Sequence, residues 1–219
     1  MEPSYIEKDH KYSVKLSLLG PISAGKSTIL SRYSNSLFNP NLRTTINIDI
    51  ITKVISLEDE LIRLEIWDSP GDERYTPTTK ACFRRAQGFF VIFDLNDKLT
   101  FENCQIWVDE IKTHSHPDSV IILLGNKKDL GEKRAICRDG AEQFRQSNGL
   151  YAYIETSALT GENIDYVFDL IIKEIIARMK EGKLKFPSLE GSMKLKEASS
   201  EKAGAKGNAG CCFKGMRMN

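Results

Sequence analysis

Gly20-Pro21-Ile22-Ser23-Ala24-Gly25-Lys26-Ser27 follows an apolar, strand-like run, Tyr12–Leu19, and precedes a helical pattern. Two glycines at this spacing before Lys-Ser predict a phosphate-binding P-loop. A loop that bends tightly after a strand turns its backbone N–H groups inward, toward phosphate oxygens at a helix N-terminus. Lys26 is then expected to reach the outer phosphates of a nucleoside triphosphate, and Ser27 to bind Mg²⁺. The simpler alternative, a glycine turn that opens a helix, is disfavoured by the motifs that follow.

Two later motifs predict recognition of guanine. Asn126-Lys127-Lys128-Asp129 and Glu155-Thr156-Ser157-Ala158 each follow an apolar, strand-like run. The Asp129 carboxylate can accept hydrogen bonds from guanine N1–H and N2–H₂, whereas adenine lacks the exocyclic amine and leaves the carboxylate unpaired. Hydrogen bonds to charged groups contribute roughly 1.5–3 kcal/mol each, which is enough to exclude ATP. The small residues of the second motif let backbone amides approach the guanine carbonyl. A polar turn after a strand would explain the first motif alone.

The segment between these motifs also points to phosphate chemistry. An apolar strand from residue 64 ends in Asp68-Ser69-Pro70-Gly71. Asp68 is suited to the outer coordination sphere of Mg²⁺, and the Gly71 N–H to a γ-phosphate.

Strand-like and helical patterns alternate along the chain. The strand-like runs are 12–19, 46–57, 61–68, 89–94, 120–126 and 151–156, and the helical patterns are 26–34, 73–86, 101–112, 138–148 and 164–178. This alternation predicts an α/β fold, with a six-stranded, mostly parallel sheet and helices on both faces. Glu58-Asp59-Glu60 predicts a tight turn that makes 46–57 the one antiparallel edge strand. The motifs all fall at the carboxyl ends of strands, where such sheets bind ligands.

In this order the motifs resemble a small GTPase of the Ras superfamily, specifically its Rab branch. The resemblance covers residues 12–179 and implies a P-loop NTPase G domain that binds GTP or GDP with Mg²⁺. It identifies Thr44-Thr45-Ile46 with switch I and Asp72-Glu73-Arg74-Tyr75 with switch II, and places Phe38 against the guanine. The residues expected to bind the nucleotide are Ser23, Ala24, Gly25, Lys26, Ser27, Thr28, Phe38, Thr45, Gly71, Asn126, Lys127, Asp129, Ser157, Ala158 and Leu159. Those expected at the metal are Ser27, Thr45 and Asp68, and those expected in catalysis are Asp72, Gly71 and Lys26.

The sequence departs from the family pattern around the hydrolytic water. Asp72 stands where the family has the glutamine that orients this water, and Ile22 where it has Gly or Ser. Ser23 replaces a glycine, and Pro70 replaces an alanine and removes one N–H. Neutral drift is an alternative, but unrelated drift should not cluster in one small volume. We therefore expect slow intrinsic GTP hydrolysis. Leu159 replaces a frequent lysine of the guanine motif, so faster nucleotide release is also expected.

Two functions fit this pattern. The first is a slow Rab-like GTPase in vesicle trafficking, whose switches I and II bind effectors, an exchange factor and a GTPase-activating protein. The second is a non-hydrolysing scaffold, a pseudo-GTPase that stays GTP-bound. A P-loop ATPase is disfavoured by Asn126, Lys127 and Asp129.

Composition restricts the partners and the compartment. The net charge of +1 over 219 residues gives no indication of nucleic-acid binding, and five scattered cysteines do not suggest a disulfide framework. We expect a cytoplasmic monomer with an extension at 1–11 and a flexible tail at 180–219. Cys211-Cys212 in that tail resembles the Rab prenylation site, although residues 213–219 follow it. If lipidated, the protein would be peripheral on the cytosolic face of endomembranes; the alternative is a soluble tail with two exposed thiols.

Overall fold

The computed structural model describes residues 10–35, 38, 45, 48–71 and 83–184, all within one compact unit, Met1–Phe186. The strands in these ranges are β1 (Tyr12–Leu19), β2 (Asp49–Leu57), β3 (Glu60–Asp68), β4 (Gly88–Asp94), β5 (Val120–Asn126) and β6 (Ala152–Glu155). The α-helices are α1 (Lys26–Asn35), α2 (Lys98–Glu102), α3 (Cys104–His114), α4 (Arg138–Asn148) and α5 (Ile164–Lys180), and a 3-10 helix spans Lys128–Lys133. None of the helices in these ranges is long and apolar enough to cross a membrane.

The strands form one sheet in the order β2-β3-β1-β4-β5-β6. β2 and β3 pair antiparallel, and the other neighbours pair in parallel. The hairpin turns at Glu58 and Asp59, both at positive φ, which matches the right-handed twist of the two strands. The predicted α/β fold, with its single antiparallel edge strand, is confirmed. The carboxyl ends of β1, β3, β4, β5 and β6 therefore lie along one edge of the sheet.

Two apolar cores cover the two faces of the sheet. The first contains alternate residues of β1, including Val14, Leu16 and Leu18, together with buried residues of α1 and α5. The second contains Phe89 and Phe93 of β4 with buried residues of α3 and α4. β4 is buried along its whole length, as expected for a central parallel strand. The helices thus pack on both faces of the sheet.

The boundaries of several elements differ from the sequence prediction. The structure has two helices where one was predicted at 101–112, and Asn103 separates them. The first begins three residues earlier than predicted, since the Asp97 side chain accepts a hydrogen bond from Leu99 N and caps it. β2 begins at Asp49 rather than 46, although residues 46 and 47 lie outside the described residues. Most of the helix predicted at 73–86 also lies outside them; residues 83–85 are helical and Ala86 is not.

A glycine is required at position 20, just after β1, because the backbone there closely approaches β4. Gly20 has φ +138°, and a Cβ atom there would lie 2.1 Å from the Ile92 carbonyl oxygen. We expect Gly20→Ala to lower the free energy of unfolding by more than about 3 kcal/mol, because the added atom meets backbone that cannot move aside. Gly131→Ala is the matched control, since a Cβ there meets nothing within 4 Å. Equal urea midpoints for the two variants would contradict this packing.

Candidate nucleotide-binding site

The loop between β1 and α1 has the tight conformation that the sequence predicts. Gly20, Ser23 and Gly25 all have positive φ, and α1 begins directly afterwards at Lys26. The first N–H groups of a helix have no partner within it, so they face the concave side of such a loop as hydrogen-bond donors. Ser23, where glycine is the usual residue, adopts φ 67° despite its side chain. The phosphate-binding conformation is therefore retained.

Lys26 is buried inside this loop. Its Nζ donates to the carbonyl oxygens of Gly20 and Pro21, at 2.9 Å each. Burial lowers the pKa of Lys26 to about 8, and the nearby Asp68 carboxylate opposes that shift. A phosphate anion beside the ammonium group would favour its charged form. Lys26 Nζ thus lies inside the loop, and its phosphate role stays a prediction.

Oxygen atoms of three predicted metal residues converge at the start of α1. Ser27 Oγ lies 2.8 Å from Thr45 Oγ1 and donates a hydrogen bond to Asp68 Oδ2, which Thr45 Oγ1 also approaches to 3.4 Å. Asp68 Oδ1 is buried and has no hydrogen-bond partner among the described residues. Burial raises the pKa of Asp68, and a cation would reverse that shift. Hard oxygen donors and an unsatisfied buried carboxylate oxygen fit Mg²⁺.

Asn126 joins the phosphate loop to both base motifs. Its Nδ2 donates to Ala24 O at 3.0 Å, and its Oδ1 accepts from Ala158 N at 3.3 Å and from Thr156 Oγ1 at 3.4 Å. Gly25 makes this contact possible, because a Cβ atom there would lie 2.3 Å from Asn126 Nδ2. The side chain is buried, and these hydrogen bonds give its amide nitrogen and its amide oxygen protein partners. Three loops are therefore held in one arrangement.

Two of the predicted base-reading residues, Asp129 and Ser157, are in contact. Ser157 Oγ donates to Asp129 Oδ1 at 2.5 Å and accepts from Thr160 N at 3.1 Å, which orients the carboxylate. Phe38 and Leu159 are 36% and 48% exposed, so their apolar surfaces are available to a planar base. Thr28 is half-buried in the first turn of α1.

Ile22 and Gly71 meet at the start of switch II. A Cβ atom on Gly71 would lie 2.4 Å from Ile22 N and 2.7 Å from both Ile22 Cα and Lys26 Nζ. The Ile22 side chain is 53% exposed. The backbone of Ile22 therefore lies against Gly71, close to Lys26 Nζ. Asp72, Cys211 and Cys212 lie outside the described residues.

An ion pair between a buried carboxylate and an exposed arginine, behind the base motifs, was not predicted from the sequence. The Glu155 carboxylate, on a side chain 5% exposed, accepts from Arg134 Nη1 at 3.0 Å, from Arg134 Nη2 at 2.5 Å and from Tyr153 OH at 2.8 Å. Asn163 Nδ2 also donates to Glu155 O at 2.7 Å. The hydrogen bonds from Arg134 hold the pKa of Glu155 below its usual range. The pair links the loop after β5 to the loop after β6. The only sequence signal was a charged residue within an otherwise apolar strand end.

Comparison with known proteins gives a consistent result. Residues 15–177 match the Ras family. The chain is 33% identical to the Ras-related protein RABA5c of Arabidopsis thaliana over 209 residues, which are 94% of this chain and 97% of that protein. It is 37% identical to the Ras-related protein Rab11B of Nicotiana tabacum over 169 residues, 77% of each chain.

Removal of the Arg134 guanidinium tests how much the pair with Glu155 contributes to the free energy of unfolding. We expect Arg134→Ala to destabilise the fold by about 1–3 kcal/mol at pH 7, because a buried carboxylate loses its partner. The pKa of Glu155 is lower in the folded state than in the unfolded state, where it is 4.5. The extra free energy of unfolding of the wild type is therefore present above pH 4.5 and is lost as the pH falls through the folded pKa.

Urea unfolding of wild type and Arg134→Ala at pH 7 and at pH 3 measures this difference. Lys98→Ala, which breaks an exposed pair with Glu102, is the control and should change little. A gap between wild type and Arg134→Ala that widens toward pH 3 would refute this assignment.

Proposed function

The chain belongs to the Ras family of small GTPases, on its Rab branch, and we propose that it is a guanine-nucleotide switch for vesicle trafficking that hydrolyses GTP slowly. The convergence of Ser27, Thr45 and Asp68 supports binding of Mg²⁺ with the nucleotide. The pairing of Asp129 with Ser157 supports a base site selective for guanine. The contact between Ile22 and Gly71 is the observation on which slow hydrolysis chiefly rests.

Hydrolysis requires a water molecule in line with the γ-phosphate, and this chain has unusual residues there. A branched side chain at Ile22 occupies space that the water and an incoming arginine would need. Asp72 lacks the amide donor of glutamine, and its carboxylate would repel an anionic γ-phosphate. Pro70 contributes no N–H and restricts the backbone just before Gly71. Intrinsic turnover should therefore fall below the Ras value, about 3–5 × 10⁻⁴ s⁻¹.

The same contact favours a second candidate function. If Ile22 and Asp72 exclude the water completely, the protein is a GTP-binding scaffold without a hydrolytic timer. The binding groups Lys26, Ser27 and Asn126 serve both functions equally. Only the rate of hydrolysis separates them.

Single-turnover hydrolysis tests this proposal. Protein loaded with GTP and Mg²⁺ and freed of excess nucleotide should retain GTP for hours. Asp72→Gln combined with Ile22→Gly should speed conversion to GDP by on the order of tenfold, because the water regains both space and a donor. Asp139→Gln, an exposed carboxylate on α4, is the matched control.

Three outcomes separate the candidates. Slow conversion that the double variant accelerates supports the slow switch. No measurable conversion in the wild type supports the scaffold. Conversion at the Ras rate in the wild type, or an unchanged rate in the double variant, would overturn the roles assigned to Ile22 and Asp72.

Leu159 is proposed to make nucleotide release faster than a lysine would. A leucine provides no cation beside the base, and the side chain is half-exposed. Leu159→Lys should slow GDP release by about threefold, because the lysine stem and charge cover the purine face. Leu61→Lys, an exposed leucine on β3, is the control for added charge. Release that is faster in Leu159→Lys than in wild type would contradict this role.

Membrane attachment and partners complete the proposal. We propose that switches I and II bind effectors, an exchange factor and a GTPase-activating protein, and that Cys211 and Cys212 carry prenyl groups. Two lipid chains, with nearby lysines attracted to anionic lipid, would hold the protein stably on the cytosolic face of endomembranes. Intact-mass analysis of protein from native cells measures this modification. An unmodified mass would favour a soluble tail.

A further inference from the structure

Asp94 ends β4 beside the guanine motif. It is paired in register with Asn126 at the end of β5, and Leu95 N donates to Asn126 O at 3.0 Å. Its side chain is 12% exposed. A mostly buried carboxylate therefore lies one residue away from Lys127, across the sheet.

Both ends of Lys127 are held from this strand end. Its Nζ lies 2.8 Å from Asp94 Oδ2, and its carbonyl oxygen accepts from Asn96 Nδ2 at 3.2 Å. Asn96 in turn donates to Asp94 Oδ1 from its backbone N and its Nδ2, at 2.9 Å each. Lys127 itself has φ 63° and ψ 38°, a conformation that a residue with a side chain rarely adopts. The two anchors thus fix a lysine whose backbone is strained.

The turn that presents these anchors is itself braced. Asp97 N donates to Asp94 O at 3.1 Å, and Asp94 N donates to Thr100 Oγ1 at 3.0 Å. Thr100 Oγ1 donates to Asp97 O at 2.7 Å, while the Asp97 side chain caps α2. Since the turn is tied to a helix and to a central strand, Asp94 and Asn96 have little freedom to follow Lys127.

We propose that Asp94 and Asn96 are positioning residues for the guanine base, which act through Lys127 and set how long the nucleotide stays bound. With its head fixed on Asp94, the lysine presents its alkyl stem as a flat apolar wall to a purine face. Because Asn96 holds the Lys127 carbonyl, the backbone keeps Asn126 and Asp129, on either side of Lys127, in fixed positions relative to each other. The inference rests on the proposed guanine-nucleotide binding and adds the groups that prearrange it.

Release of a fluorescent GDP analogue from the full chain, chased with excess GDP, measures the effect. Asp94→Asn keeps the shape of the side chain and removes its charge, and Asn96→Ala removes the Nδ2 group that donates to the Lys127 carbonyl and to Asp94 Oδ1. Each should speed release by about tenfold. Asp94→Glu, which retains the charge, should restore most of the slow release. Lys98→Ala, an exposed position on α2, should release at the wild-type rate.

A double-mutant cycle separates positioning from general damage. In a Lys127→Ala background Asp94→Asn should have no further effect, because the anchored group is gone. Additive effects in that background, or a wild-type release rate for both Asp94→Asn and Asn96→Ala, would overturn the inference. If Asp94→Asn fails to fold, Asn96→Ala in the wild-type chain tests the backbone anchor alone, and an unchanged release rate in that variant would overturn the inference. Wild-type protein that binds no guanine nucleotide would instead refute the proposed function, and the inference with it.

Discussion

The amide of Asn126 is the interaction on which the site depends. Asn126 belongs to the first base motif, and its amide contacts both the phosphate loop and the second base motif. The parallel order of the sheet makes this possible, because it brings the ends of β1, β5 and β6 to one edge. Gly25 is restricted to glycine by the same contact. A buried amide whose nitrogen and oxygen both bind protein groups favours a single arrangement of the three loops.

We propose that the residues that bind the nucleotide differ from those that affect its hydrolysis. The lysine, the metal-binding oxygens and the base-reading groups lie in consistent, mutually supporting positions. Ile22 meets Gly71 beside Lys26 Nζ, and we propose that this corner faces the γ-phosphate, whereas the unusual Leu159 belongs to the guanine motif. We propose that substitutions at that corner affect the attacking water and leave the contacts to base and metal in place. A guanine-nucleotide switch with slow GTP hydrolysis would therefore require no change elsewhere in the fold.

The sheet and its edge hairpin could be predicted from the sequence because both depend on local spacing, while the site residues stay predictions that the observed contacts support. The two anchoring systems were missed for the opposite reason. Arg134 pairs with Glu155, and Asp94 with Lys127, across distances of 21 and 33 residues that only the strand order closes. The division of one predicted helix at Asn103 was missed because apolar periodicity continues through it, while the cap at Asp97 lies outside the apolar pattern. Asp72 stays a prediction, since it lies outside the described residues.

Identification of the nucleotide that accompanies the natively purified chain is the most direct test of this account. The protein would be denatured, and the released nucleotide separated by chromatography and quantified against the protein. The account predicts close to one guanine nucleotide per chain, with GTP as a large fraction that persists over hours at room temperature. An adenine nucleotide, no nucleotide, or GDP alone from protein handled quickly in the cold would contradict it.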